Sequence, residues 1–394
     1  MEVEPGNNDL NTDLTIEEVQ LAINRAKMGK ATGIENLPNE ILKSPMLSRT
    51  LFSLFKKCFE TGTIPSVWFR SIINPIFKSD DPRVPLNYRG ISLLSTVYKL
   101  YSSILNDRLM FYLETRHQLV DEQNGFRKDR ACIDHLYSLC TIIRTRLDEK
   151  KITFACFIDF KKAFDFVNRD LLWCRLLEYG VNGKFYKSIE SLYSAPVACV
   201  KINEFCSDWF PTPLGVKQGD NLSPTLFAVY INDLACTIKA LNCGVQCGEF
   251  TVGILLYADD IVLIAETEAD MQKMLSHTNE WCKKWRMSIN EKKTNVMHFR
   301  STQTHISNYQ FYFGEKKINF VSSYKYLGLY VDEHMSFVHG STVLAESAGR
   351  ALGGVIGKIK THRCWFPHIH NTIPGVCLPS SRLWCGGLGS REIP

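Results

Sequence analysis

The sequence predicts an α+β fold, because helices with one apolar face occur together with short apolar strands. Apolar residues recur every three or four positions over residues 97–113, 132–147 and 268–287, which is the spacing of amphipathic helices. Continuous apolar runs of strand length occupy residues 153–158, 254–258 and 261–265. With 394 residues, 45% of them hydrophobic, the chain is long enough for two or three subdomains with a real core.

The elements can be assigned in order along the chain. A first helix is predicted over residues 14–30, because Thr15 opens a capping pattern and Gly29 and Gly33 end the apolar spacing. The strand at residues 153–158 stops at Asp159, and a turn then leads into a helix rich in leucine. Beyond Gly340, little helical periodicity remains. The other predicted helices are residues 47–60, 97–113, 132–147, 221–239 and 268–287, the last with a Met and Trp face expected in the core.

Composition excludes several classes of protein. The net charge of +5 is mildly basic and permits a polyanionic partner. No apolar run approaches the length of a membrane span and the first 20 residues are acidic, so an intracellular, soluble chain without a membrane partner is expected. The 14 cysteines are scattered and are expected to be reduced. Neither Cys243 with Cys247 nor the group of Cys364, His368, His370 and Cys377 has the usual zinc spacing.

Two adjacent carboxylates, Asp259 and Asp260, stand between two apolar strands. The arrangement predicts a hairpin with both aspartates at its tip. Ionised carboxylates beside a core are costly unless a cation compensates them, and carboxylate oxygens favour Mg²⁺ over zinc. An ordinary acidic turn explains the tetrapeptide Tyr257-Ala258-Asp259-Asp260 equally well.

A third carboxylate, Asp159, ends another buried strand. Together with the hairpin it gives the minimum acidic set for a two-metal site that supports phosphoryl transfer. The alternative is that Asp159 caps the following helix, but recurrence of the pattern at the hairpin favours the metal interpretation. For Asp165, a capping or ion-pairing role is expected instead.

A glycine-rich segment, Gly215 to Asp220, precedes a helix that should begin near Ser223 and Pro224. Its glycines would let the backbone approach a ligand closely, while Gln218 could contact a sugar or a template base without adding charge. Alone, such a spacing is a weak signal.

Taken together, these segments resemble the reverse transcriptase of a non-LTR (LINE-like) retrotransposon, in order from about Thr15 to Phe337. Eight segments match in register, which leaves little room for chance. They are residues 27–43; residues 68–109, with Asn87-Tyr88-Arg89-Gly90-Ile91-Ser92-Leu93-Leu94; residues 121–135, with Asn124-Gly125-Phe126-Arg127; residues 157–165 (motif A), 215–227 (motif B), 257–260 (motif C) and 281–299 (motif D); and residues 324–328, Tyr324-Lys325-Tyr326-Leu327-Gly328.

The resemblance implies a right-hand polymerase with a ferredoxin-like palm, fingers and an incomplete α-helical thumb. The implied domains are an N-terminal helical extension over residues 1–60, fingers over 61–150, the palm over 151–337, and a partial thumb with an atypical tail over 338–394. Residues 341–360 still resemble the start of a thumb, whereas residues 361–394 resemble a frameshifted or mis-spliced tail. The endonuclease of intact elements and an RNase H domain are absent from the sequence, as expected for a fragment of a longer polyprotein.

The resemblance also implies roles for individual residues. Asp159, Asp259 and Asp260 would hold two Mg²⁺ ions, for which Mn²⁺ could substitute. Phe164 would be the steric gate that excludes a ribose 2′-hydroxyl. The remaining assignments are Lys78 and Arg89 to the triphosphate, Gln218 and Gly219 to the nucleotide, and Lys293 to protonation of the pyrophosphate. Lys78 could instead be a solvated surface lysine, and Lys292 competes with Lys293.

The implied partners are an RNA template, a DNA or RNA primer with a 3′-hydroxyl, and deoxynucleoside triphosphates. Two alternatives stay open: a catalytically impaired nucleic-acid-binding remnant, and a viral RNA-dependent RNA polymerase. Phe164 and the Tyr257-Ala258 pair argue against the viral enzyme. The chain departs from the family pattern at Gly90, at Glu35 and at Asp129-Arg130-Ala131, none of which is a predicted metal ligand.

Overall fold

The computed structural model describes residues 9–78 and 81–362, and the predicted α+β class is confirmed there by helices and sheets in one chain. The helices are α1 (Ile16–Arg25), α2 (Asn39–Leu42), α3 (Pro45–Thr61), α4 (Thr96–Thr115), α5 (Cys132–Asp148), α6 (Arg169–Glu178), α7 (Gly183–Ser191), α8 (Ser223–Lys239), α9 (Glu268–Trp285) and α10 (Val338–His362). The strands are β1 (Arg70–Phe77), β2 (Tyr88–Leu93), β3 (Thr153–Asp159), β4 (Val197–Ile202), β5 (Phe205–Cys206), β6 (Phe210–Pro211), β7 (Val245–Cys247), β8 (Phe250–Val252), β9 (Ile254–Tyr257), β10 (Asp260–Ala265), β11 (Asn295–Phe299), β12 (Phe311–Phe313), β13 (Lys316–Phe320), β14 (Ser323–Tyr326) and β15 (Leu329–Asp332).

A six-stranded sheet forms the centre of the fold, in the order β12-β13-β11-β3-β10-β9. The first six residues of β3 are buried, since both faces of the sheet are covered. Phe154, Cys156 and Ile158 belong to a core that also contains α8 and α9, whereas Ala155 and Phe157 pack with α5 on the other face. This alternation follows from the period of two in a strand.

A second sheet has the order β2-β1-β4-β5, with β6 also paired to β4. Strands β1 and β2 are antiparallel, and β1 and β4 are parallel. In the first pair Arg89 lies opposite Ile76, and Lys78 follows directly after β1. The two cations predicted to bind a triphosphate are therefore both positioned by this sheet.

The N-terminal segment is fastened to the start of α4. Glu35 accepts a hydrogen bond from the backbone N–H of Thr96 through Oε1, at 2.9 Å. Gly33 packs against the backbone of Leu94, where a Cβ would lie 2.5 Å from the carbonyl carbon. The segment thus supports the junction of β2 and α4, and a side chain at position 33 would collide with that junction.

Most of the predicted elements are confirmed, within a few residues at their ends. The capping box of Thr15 and Glu18 is present, although α1 stops at Arg25 because Ala26 leaves the helical region at ψ 123°. The Met and Trp face of α9 is buried, as expected. Little helical periodicity remains beyond Gly340, yet helix α10 continues to His362, over the residues that resemble the start of a thumb. Its periodicity is weak because much of its surface is built from small residues, and a Cβ added at Gly349 or Gly353 would meet nothing within 4 Å.

The 11 cysteines between Cys58 and Cys282 that the structure describes are all free thiols, as expected. Cys364, His368, His370 and Cys377 lie outside the described residues. Among the described helices none is long and apolar enough to cross a membrane.

Candidate active site

The predicted hairpin is confirmed, and it brings Asp159 beside Asp260. Strands β9 and β10 are joined by Ala258 and Asp259, so that Asp259 lies in the turn and Asp260 opens β10. Asp260 pairs with Tyr257 on one side and with Asp159 of β3 on the other. Ala258 has a φ of +59°, a conformation that favours glycine at a hairpin turn. Of the two aspartates, only Asp259 is a turn residue, contrary to the expectation that both occupy the tip.

The alternative role of Asp159 as a helix cap is excluded. Asn168 caps α6, and its side-chain oxygen accepts a hydrogen bond from the N–H of Leu171 at 3.0 Å. The expectation that Asp165 caps a helix or forms an ion pair is also wrong. Within the described chain it forms no ion pair, and its Oδ1 accepts a hydrogen bond from Nε2 of Gln218 at 2.8 Å. Asp165 is therefore part of the same polar group as Gln218.

The electrostatics of the carboxylates are unfavourable without a cation. Partial burial raises the pKa of Asp259, and the negative charge of the neighbouring Asp159 raises it further. Burial, followed by the negative charges of Asp259 and Asp159, raises the pKa of Asp260 to about 6. Crowding of like charges in a partly desolvated place is typical of functional sites.

Three cations face this acidic group. The positive charges of Arg89 and Lys293 act on Asp260, and those of Arg89 and Lys78 act on Asp259. Burial, and then repulsion by Arg89 and Lys293, lower the pKa of Lys78. Over residues 9–78 and 81–362 none of the three side chains is held in an ion pair, so their charge is available to an anionic ligand.

Lys293 is brought to the site by the loop between α9 and β11. The N–H of Asn290 donates to the carbonyl oxygen of Asp159 at 2.7 Å, and the N–H of Asp159 donates to Oγ1 of Thr294 at 3.3 Å. The hydroxyl of Tyr324 donates to the carbonyl oxygen of Lys293 at 2.9 Å. The loop is thus tied to the end of the strand that carries Asp159.

The ring of Phe164 is held by two other phenylalanines. It stacks on Phe227 of α8, with ring centroids 4.6 Å apart and planes at 22°. Phe126 meets it at 90°, with centroids 6.4 Å apart. The carbonyl oxygen of Phe164 accepts a hydrogen bond from the N–H of Val216 at 2.8 Å, which joins its segment to the glycine-rich loop.

The glycine-rich loop runs between that segment and β2. The carbonyl oxygen of Gln218 accepts a hydrogen bond from the N–H of Ser92 at 2.7 Å. Gly219 has a φ of +119°, and a Cβ there would lie 2.7 Å from the carbonyl oxygen of Ser92. Gly215 has a φ of +81° and would place a Cβ 2.6 Å from the carbonyl oxygen of Asp165. Close packing of backbone on backbone explains both glycines.

Lys217 is a buried residue of the glycine-rich loop for which the sequence predicts no role. It is 8% exposed, and its Nζ donates to the carbonyl oxygens of Trp68 at 3.4 Å and Leu192 at 3.2 Å. The ammonium also lies 4.4 Å from the centroid of the Tyr98 ring. Burial lowers its pKa to about 8. Because Lys217 directly precedes Gln218, its buried contacts hold this part of the loop in place. No local sequence pattern distinguishes Lys217 from a solvated loop lysine.

The segment from Glu122 to Phe126 lies within a stretch that resembles a family motif, but the sequence predicts no role for it. In the structure it clamps the hairpin, through hydrogen bonds to β9 and to the turn. The N–H of Leu256 donates to the carbonyl oxygen of Glu122, and the N–H of Asn124 donates to that of Leu256, each at 2.9 Å. Oε1 of Gln123 accepts from the N–H of Ala258 at 3.2 Å. These contacts join residues far apart in sequence, so no local pattern predicts them.

A cavity of about 730 Å³ lies between the second sheet and the glycine-rich loop, and its lining does not include Asp159, Asp259 or Asp260. Tyr88, Gly90 and Ser92 of β2 line one side. Asp165 and Gln218 line the other. The predicted nucleotide-contacting glutamine therefore borders an open space of ligand size.

The predicted metal ligands can be tested by their chemistry. In the described part of the chain, no three His, Cys, Asp or Glu side chains are already close enough together to form a metal cage. Asp159 and Asp260 nevertheless lie opposite each other on β3 and β10, with Asp259 in the turn between β9 and β10, and an all-oxygen set suits a hard divalent cation. The chemistry of these residues therefore fits such an ion.

Comparison with known proteins gives a family match over most of the chain. A family model described as reverse transcriptase (RNA-dependent DNA polymerase) matches residues 76–331. The chain is 29% identical over 290 residues to a probable RNA-directed DNA polymerase from transposon BS of Drosophila melanogaster, covering 71% of this chain and 32% of that protein. It is 24% identical over 337 residues to the RNA-directed DNA polymerase from mobile element jockey of the same organism, covering 82% and 36%.

A third relative is the Pol polyprotein from retrotransposable element R2 of Popillia japonica, at 26% identity over 71% of this chain and 38% of that protein. The chain thus spans about a third of the length of the curated relatives it matches. Among solved structures, telomerase from Candida albicans is similar at a TM-score of 0.46 and 14% identity, covering 80% of this chain and 54% of that one.

Proposed function

The chain belongs to the reverse transcriptase (RNA-dependent DNA polymerase) family, and from this premise we propose that it adds deoxynucleotides to a primer 3′-hydroxyl, copying RNA. The observation that carries the proposal is the pairing of Asp159 with Asp260, next to Asp259 in the turn. Acidic residues on adjacent strands, faced by cations without ion-pair partners among the described residues, suit phosphoryl transfer by positioning and electrostatics. The viral RNA polymerase alternative has no support from the family match.

The family generally uses divalent metals, and we propose two Mg²⁺ ions here, with Mn²⁺ as a substitute. Asp159, Asp259 and Asp260 would hold them. When bound, such ions lower the pKa of an attacking hydroxyl and neutralise a leaving pyrophosphate.

Other side chains would act on the nucleotide directly. Lys78 and Arg89 would bind triphosphate oxygens, and Lys293 would deliver a proton to the departing pyrophosphate. Gln218 would exchange its bond to Asp165 for a contact with the sugar or the template. Phe164 would close the space that a 2′-hydroxyl requires.

The proposed domains follow from these roles. The six-stranded sheet with α8 and α9 would be the palm, over residues 151–337, and β1 and β2 would belong to fingers over residues 61–150. Helix α10 would begin the thumb. The partners would be an RNA template, a DNA or RNA primer and deoxynucleoside triphosphates.

Primer extension on an RNA template with Mg²⁺ and deoxynucleotides tests the proposal. The wild-type chain should extend the primer, while Asp259→Asn should not. Nucleic-acid binding is measured in parallel, because an impaired remnant would bind the primer–template without extending it. Equal extension by both proteins, or by neither, would overturn the proposal.

Phe164→Val is expected to raise ribonucleotide use relative to deoxynucleotide use at least about tenfold. Removing the ring opens space for the 2′-hydroxyl, whereas the contacts of the triphosphate are unchanged. The measurement is the ratio of kcat/KM for matched ribo- and deoxynucleotides on one template. Phe166→Val, at a ring two residues away that is 46% exposed, is the control and should leave the ratio unchanged. An unchanged ratio in Phe164→Val would contradict the gate role.

A further inference from the structure

Phe126 has an unusual combination of exposure and backbone conformation. Its side chain is 52% exposed, although it is a large apolar ring beside the candidate active site. Its φ is +61°, in the left-handed region that bulky residues rarely adopt. Such a conformation persists only where the surroundings enforce it, and it is often found at functional sites.

The surroundings that enforce it belong to the hairpin of Asp259 and Asp260. Gly125, directly before Phe126, packs so tightly that a Cβ would lie 2.2 Å from the backbone nitrogen of Ala258. Oε1 of Gln123 accepts hydrogen bonds from the N–H groups of both Gly125, at 2.9 Å, and Ala258, at 3.2 Å. The position of Phe126 is therefore fixed relative to the acidic hairpin.

The ring of Phe164 is fixed from a different direction. It stacks on Phe227 of α8, and its backbone is bonded to the glycine-rich loop at Val216. Phe126 closes the row of three rings, perpendicular to Phe164. Edge-to-face contact of this kind is favourable and depends on orientation. The row links the hairpin to the ring that is proposed to select the sugar.

We infer that Phe126 is a positioning residue for sugar selection, which holds the Phe164 ring against the space of a 2′-hydroxyl. The inference rests on the proposed function, since it needs Phe164 to be the gate. Phe126 acts through Phe164 and not on the reacting atoms.

Selectivity kinetics test the inference. Phe126→Leu, which keeps an apolar side chain but removes the ring, is expected to lower the preference for deoxynucleotides about two- to tenfold. Phe126→Tyr retains the ring and should keep the preference. In a Phe164→Val background, Phe126→Leu should add less than about a further twofold, because the ring it positions is gone. Phe111→Leu, at a ring of α4 that is 67% exposed, is the control.

A second measurement does not require DNA synthesis. With 4-fluorophenylalanine at position 164, the ¹⁹F resonance should shift in Phe126→Leu and not in Phe111→Leu. The protein is also titrated with dATP and, separately, with ATP, with primer–template present. The resonance should move at a lower concentration of dATP than of ATP, and Phe126→Leu should narrow the gap between these two concentrations.

The outcomes separate the two proposals. An active enzyme whose selectivity is unchanged in Phe126→Leu overturns the inference and leaves the polymerase assignment intact. The same holds if Phe126→Leu only weakens primer–template binding, which would make the ring a nucleic-acid contact. If the wild-type chain makes no DNA, the proposed function fails and the ¹⁹F titration decides the inference. If dATP and ATP move the resonance at the same concentrations, in the wild type and in Phe126→Leu alike, the inference is overturned.

Discussion

Asp159→Asn is expected to reduce the rate of primer extension at least about 10³-fold, as is Asp259→Asn. Asparagine keeps the size of the side chain but removes the charge that would hold a divalent cation. The double variant should be little slower than either single variant, since residues that act as one unit are not additive. Single-turnover extension on an RNA template measures the chemical step, with Asp148→Asn as an exposed control at the end of α5.

The same variants should not lose stability. Without a divalent cation, Asp159 and Asp259 contribute to the raised pKa of Asp260, so their charges repel one another in the folded chain. Neutralising one of them should leave the midpoint of thermal unfolding unchanged or higher. Added Mg²⁺ should raise the midpoint of the wild type more than that of Asp159→Asn. A drop in the midpoint that accompanies the lost activity would point to a structural role instead.

The sequence reveals the elements of the site more readily than their arrangement. Apolar runs on each side of Asp259 and Asp260 identify two strands, because a strand buried on both faces needs such runs wherever it lies. The pairing of Asp159 with Asp260 depends on which strand lies beside β10 and in which register. Neither property is encoded in a local pattern. The recurrence of an aspartate at a strand end suggested the grouping of the three aspartates, and the resemblance to a family supported it, but their register became visible only in the structure.

Loops that carry the site were the least predictable part. Gln123 looks like a surface residue in the sequence, yet it is fully buried and bonded to the hairpin turn. Lys217 looks like a solvated lysine, yet carbonyl oxygens and aromatic rings surround it. Local composition could not identify either residue, because these partners lie at least 24 residues away in sequence. The exposed helix α10 shows little periodicity for the opposite reason, since it buries too little apolar surface to require a periodic pattern; only the family resemblance indicated it.

Arg127→Met is expected to cost about 3 kcal/mol in the free energy of unfolding, the largest stability effect that we predict. The guanidinium side chain is 5% exposed. Its Nε and Nη2 donate to the two carboxylate oxygens of Glu114 at 2.7 and 2.6 Å, and its Nη1 donates to the carbonyl oxygens of Val120 and Gln123. Methionine fills the space but leaves a carboxylate and two carbonyl groups without these donors. Urea unfolding of both proteins measures the difference.

Arg130→Met is the matched control, because Arg130 makes similar bonds to Asp121 at the surface, where the carboxylate side chain is 89% exposed. It should cost no more than about 1 kcal/mol. Acid distinguishes the buried pair further. Hydrogen bonding to Arg127 lowers the pKa of Glu114 from its ordinary 4.5, so its contribution to stability is complete above that pH and is lost as the pH falls through the lowered value. Wild type should therefore lose more stability than Arg127→Met between about pH 6 and pH 3. Equal costs for the two arginine variants, with parallel pH profiles, would show that Arg127 does not anchor the segment that clamps the hairpin.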